Sequence, residues 1–105
     1  MTISSAKRDA FAFLDRNAPA LATLSDSIFY FGELGLQEYE TSGLMCSHLE
    51  EAGFRVQRGL SGFETAFLAT FGEEGPTIAL HTEYDANPEN SQVSGVAERD
   101  RKSVV

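Results

Sequence analysis

The chain has 105 residues, 42% of them hydrophobic, which is enough for one domain with one core and too short for two. Its 8 lysines and arginines against 16 acids give a net charge of −8, which repels nucleic-acid phosphates and anionic lipid surfaces. Residues 1–8 contain no apolar run of signal-peptide type, and no later segment approaches the ~20 apolar residues of a membrane span, so the expectation is a cytoplasmic protein with neither nucleic-acid nor membrane partners.

From Ser5 to about Phe31 the apolar residues Phe11, Leu14, Leu21, Leu24, Ile28 and Phe31 recur at helical spacing. Pro19 lies within that run, and Asn17 is a candidate N-cap ahead of it, so two helical pieces or one kinked helix are expected. Gly32-Glu33-Leu34-Gly35 breaks the pattern. Glu33, Glu38 and Glu40 gather before a second helix over residues 38–52, where carboxylates favour a helix N-terminus, and capping is their expected role. Leu44, Met45, His48, Leu49 and Ala52 form the predicted apolar face of that helix, with His48 read as partly buried. Gly53 suits the left-handed position that ends it, with Phe54 folding back on Leu49. Cys46, in the same helix, is the sole cysteine and reads as an inert thiol in a reducing compartment.

Beyond Gly53 the period changes to two. Residues 55–58 predict a short strand, Gly59-Leu60-Ser61-Gly62 a turn, and residues 65–71 a second strand with Phe67, Ala69 and Phe71 on one face. After Gly72-Glu73-Glu74-Gly75, residues 77–80 read as a strand buried on both faces. Residues 87–105 offer no amphipathic helix and are expected to form an irregular tail. The fold class is therefore α/β, in an α+β arrangement here: N-terminal helices followed by strands of a mixed sheet, with residues 1–105 forming a single partial domain.

The segment Ile78 to Ala86 carries His81, Glu83 and Asp85 at every second position. In an extended backbone these project to one side and can converge on one point, the spacing of a metal site. A neutral imidazole is a common zinc ligand, and a carboxylate two residues on orients it or binds a second ion. The alternative is a strand-end histidine among ordinary loop acids. Open α/β sheets place their ligand sites at such strand ends.

The string Glu33-Leu34-Gly35-Leu36-Gln37-Glu38-Tyr39-Glu40-Thr41, then Leu49 to Phe54, Thr65 to Gly72 and Ile78 to Ala86, resembles the opening of the M20 family of metallopeptidases and amidohydrolases. It is most similar to the branch that includes aminobenzoyl-glutamate hydrolases. The resemblance implies part of a zinc-peptidase-like catalytic domain that hydrolyses amide bonds of peptides or N-acyl amino acids with one or two divalent metals, commonly zinc. It implies His81 as metal ligand and Glu83 and Asp85 as the catalytic carboxylates, with a small-molecule amide or peptide substrate and a homodimer for the complete protein. Glu83 stands where an Asp is usual, Asp85-Ala86 matches the branch, and the branch often has an apolar residue at the position of His81. The family's glycine-and-histidine-rich motif and paired glutamates are absent from these 105 residues, so no turnover is expected of this chain alone. The competing expectation is a non-catalytic α/β module that binds a partner or a second copy of itself through an uncovered sheet face.

Overall fold

The computed structural model describes residues 2–103. Helix α1 spans Ser5–Phe31. It starts where the Ser4 hydroxyl accepts the Lys7 N–H at 3.3 Å, and it ends at Gly32, whose φ of 54° is left-handed. Space there is tight as well, because a Cβ would lie 3.2 Å from both Ser91 Cβ and Lys102 Cε and those side chains would have to give by a few tenths of an ångström. The helix runs continuously through Pro19, and Asn17 is an interior residue of it rather than a cap. Side chains supplement the ladder around the proline: Asn17 Nδ2 donates to the Phe13 carbonyl at 2.8 Å and Thr23 Oγ1 to the Pro19 carbonyl at 3.0 Å.

Helix α2 spans Tyr39–Glu51. Its last turn closes as the sequence predicts: Phe54 N–H donates to the Leu49 carbonyl and Gly53 N–H to the Glu50 carbonyl, each at 3.0 Å, with Gly53 at φ 97°. The buried side chains are Thr41 and Cys46, and His48 is exposed, against expectation. Thr41, seven residues earlier on the same face, is buried, so the exposure of His48 follows from its place towards the end of the helix rather than from its angle. Strands β1 (Arg55–Arg58) and β2 (Phe67–Thr70) pair antiparallel, Arg55 opposite Thr70 and Arg58 opposite Phe67, around a short 3-10 turn at Leu60–Gly62. Phe71 leaves the strand and packs its ring 5.2 Å from Phe54. The architecture is α+β, two helices followed by a two-stranded antiparallel sheet.

Two details depart from the sequence expectation. Among the described residues the sheet is antiparallel rather than mixed, and parallel pairing is confined to an isolated bridge between Leu34 and Ala86. Residues 77–80 form no strand and are exposed rather than buried, Ile78 at 84% and Leu80 at 92%. A strand exists only by hydrogen bonding to a neighbour, and no described segment lies beside residues 77–80 to complete the ladder. Residues 87–103 contain no helix or named strand, but they fold into a clasp over the end of α1. There Ser91 Oγ donates to Asp100 Oδ1 at 2.6 Å, Ser103 Oγ donates to Ser91 Oγ at 2.9 Å, and Lys102 Nζ lies 2.7 Å from Asp100 Oδ2 and 5.0 Å from the centre of the Tyr30 ring. Cys46 is the one apolar or sulfur side chain buried among the described residues. No helix among them is long and apolar enough to cross a membrane.

Candidate functional site

The chain between α1 and α2 is fixed by its own acids. Glu33 turns its carboxylate onto the start of α2, where it accepts the N–H groups of Glu40 at 2.8 Å and Thr41 at 2.7 Å. Two of the orphan donors of the helix are satisfied by one charged group that also favours the positive end of the helix dipole. The Glu33 carbonyl accepts the Ala86 N–H at 2.6 Å, which draws residues 84–86 alongside Leu34. Buried Glu38 accepts the Thr65 hydroxyl at 3.1 Å, and the Tyr84 hydroxyl donates to the Thr65 carbonyl. The capping role expected of the acidic cluster is thus carried by Glu33, while Glu38 faces the start of the sheet.

This network anchors the C-terminal end of the candidate site. The Tyr84 ring lies 6.1 Å from that of Phe67. Burial, then the negative charge of Glu38, pushes the Tyr84 hydroxyl up to about 12, so it remains a hydrogen-bond donor across the neutral range. Asp85 is exposed on the rim of an open groove of about 290 Å³ shared with Glu33, Asn87 and Asn90. The site therefore has an anchored end at residues 84–86 and an exposed end at residues 81–83.

His81 and Glu83 do come together, with Nε2 and Oε1 3.5 Å apart, as the period of two predicts. Both side chains are open to water, 86% and 78% exposed, so the pair is held weakly. Asp85 does not complete a cluster with them: among the described residues no three His, Cys, Asp or Glu side chains are placed to hold a metal ion. A catalytic zinc takes about three protein ligands and keeps one position for water. Two donors on an exposed segment do not fit such a centre, so this chain's own residues supply at most part of one.

Tyr84, Thr65 and Glu33 join the site through the fold rather than through the period of two. The signal for Glu33 is its position before α2, whereas the Tyr84 to Thr65 bond joins residues 19 apart in a pattern that spacing cannot show. Cys46 is buried, and that burial raises its pKa although the Arg58 charge pulls the other way, which keeps the thiol protonated and inert.

The chain is 39% identical over 75 residues to a p-aminobenzoyl-glutamate hydrolase subunit of Escherichia coli (strain K12), covering 71% of this chain and 16% of that protein. It is 26% identical over 88 residues to "Putative amidohydrolase YhaA" of Bacillus subtilis (strain 168), covering 84% of this chain and 22% of that protein. The similarity is thus to amidohydrolase-type proteins, and the chain spans about a fifth or less of the length of these relatives. No protein-family model matches the chain. No solved structure matches it.

Proposed function

We propose that this chain forms the N-terminal part of the catalytic domain of an M20-type, metal-dependent amidohydrolase acting on an N-acyl amino acid or small peptide. The observation that supports this reading is the 39% identity with the Escherichia coli hydrolase over 75 residues. The network of Glu33, Thr65, Tyr84 and Ala86 adds a physical reason, because it holds the base of the His81, Glu83 and Asp85 segment against the helices. An aminobenzoyl-glutamate-like amide is the first substrate to try, since that is what the name of the relative states.

In this reading His81 is one ligand of a divalent metal, with zinc the first choice, and Glu83 and Asp85 are carboxylates of the same wall. The remaining ligands and the general base come from elsewhere in the complete protein, and the isolated chain is inactive. Such a metal would supply Lewis-acid activation, for which this chain's own residues provide His81 alone as a ligand. This chain's own contribution is positional: Tyr84 and Ala86 hold the backbone from which the three side chains project. Zinc titration by calorimetry tests it. Weak binding by the 105-residue chain, lost in His81→Ala and retained in His48→Ala, supports the reading; binding unaffected by His81→Ala contradicts it.

A further inference from the structure

We propose that Glu38 is a positioning residue for the segment of His81, Glu83 and Asp85, and that its charge acts on that segment through the Thr65 hydroxyl. The use of the segment rests on the hydrolase reading, whereas the relay from Glu38 rests on geometry alone. Glu38 is 9% exposed, and the ion pairs among the described residues engage Glu50, Glu83, Glu89 and Asp100 and leave it without a cation. A carboxylate withdrawn from water is costly unless donors or dipoles face it. Glutamine would fill the same space without burying a charge, so the carboxylate is explained by what it orients rather than by its volume.

Two features of the fold offset the cost of burial. Glu38 stands at the start of α2, where the helix dipole is positive, yet its side chain makes no capping bond. The N–H groups of Glu40 and Thr41 are taken instead by Glu33, at 2.8 and 2.7 Å. Glu38 is therefore free to turn towards the start of the sheet, where it accepts the Thr65 hydroxyl at 3.1 Å. A hydrogen bond to an ionised acceptor is stronger than one between neutral groups. Thr41, one turn along α2 and fully buried, makes no hydrogen bond through its hydroxyl, so Thr65 is the hydroxyl that Glu38 holds.

Thr65 is itself buried and is gripped from two sides, its hydroxyl by Glu38 and its carbonyl by the Tyr84 hydroxyl. Fixing the first bond fixes the direction of the second, which ends on the residue between Glu83 and Asp85. The charge of Glu38 also favours the protonated Tyr84 hydroxyl, the form that donates. The other tether of the segment, Ala86 N–H to the Glu33 carbonyl at 2.6 Å, starts from the same turn before α2. Residues 33–38 thus hold residues 84–86 at two points, and Glu38 governs the one that passes through side chains.

Amide exchange and zinc calorimetry on the 105-residue chain test the relay. Glu38→Gln keeps the size and an acceptor and removes the charge. Exchange of the Ala86 amide is expected to rise several-fold in it, while the α2 amides and the melting temperature stay near native. Thr65→Val, which removes the hydroxyl and keeps the branched shape, raises Ala86 exchange by a similar factor, and Glu38→Gln adds nothing further in that background. Zinc affinity falls in step with Ala86 exchange in both variants. Unchanged Ala86 exchange in Glu38→Gln, additive effects of the two substitutions, or loosening shared equally by α2 overturns the proposal. If Ala86 exchange responds as expected but the native chain binds no zinc, the relay stands and the metal reading of the segment fails.

Discussion

Tyr84 reaches back across 19 residues to donate its hydroxyl hydrogen to the Thr65 carbonyl, tying the segment of His81, Glu83 and Asp85 to the start of the sheet. Removing that hydroxyl leaves the carbonyl without its partner in a half-buried place. Tyr84→Phe is expected to cost about 1 kcal/mol in urea unfolding and to loosen residues 81–86 in amide exchange, with the helices unaffected.

The same group sets the alkaline limit. Its folded pKa of about 12 lies above the ordinary tyrosine value of ~10, so the neutral hydroxyl is the form that the fold favours. Its contribution is fully present below pH ~10 and is lost as pH rises towards 12. Thermal melting measured across that window should fall more steeply for the native chain than for Tyr84→Phe.

Glu33 carries the start of α2. Glu33→Ala removes the acceptor of two backbone N–H groups, 2.8 and 2.7 Å away, and is expected to cost about 1–2 kcal/mol, the scale of a lost N-cap. Glu33→Gln, which keeps an acceptor but not the charge, falls between the two in the same unfolding measurement.

The clasp over α1 responds at the other end of the pH scale. Hydrogen bonds from Lys102, then Ser91, hold Asp100 down to about 2, below its ordinary value of ~3.9. Its stabilising effect is present above pH ~4 and disappears as pH falls towards 2. Amide protection of residues 89–103 should drop through that range in the native chain, while Asp100→Asn shows low protection throughout.

What is legible in the sequence is local. Gly32, Gly53 and Phe54 mark helix ends because capping depends on a few consecutive residues, and β1 and β2 follow from a period that two short antiparallel strands satisfy by themselves. Residues 77–80 carry a strand composition without a strand, since composition cannot supply the neighbour that a ladder needs. His48 departs from its expected burial although it shares a helix face with buried Thr41, because periodicity marks a face and not how far along it is covered. The clasp of Ser91, Asp100 and Ser103 carries no signal, because small polar residues without periodicity announce neither element nor burial. At the candidate site the pairing of His81 with Glu83 is readable from alternation, whereas the anchoring of residues 84–86 depends on bonds to Glu33 and Thr65 that only the fold brings near.

The most direct measurement of the central claim is a chimera. The 75-residue segment of this chain that matches the Escherichia coli hydrolase is exchanged into that protein, and hydrolysis of p-aminobenzoyl-glutamate is followed beside the isolated 105-residue chain. The account predicts activity in the folded, assembled chimera, its reduction by His81→Ala, and none in the isolated chain. A folded chimera without activity, or turnover by the isolated chain, would contradict it.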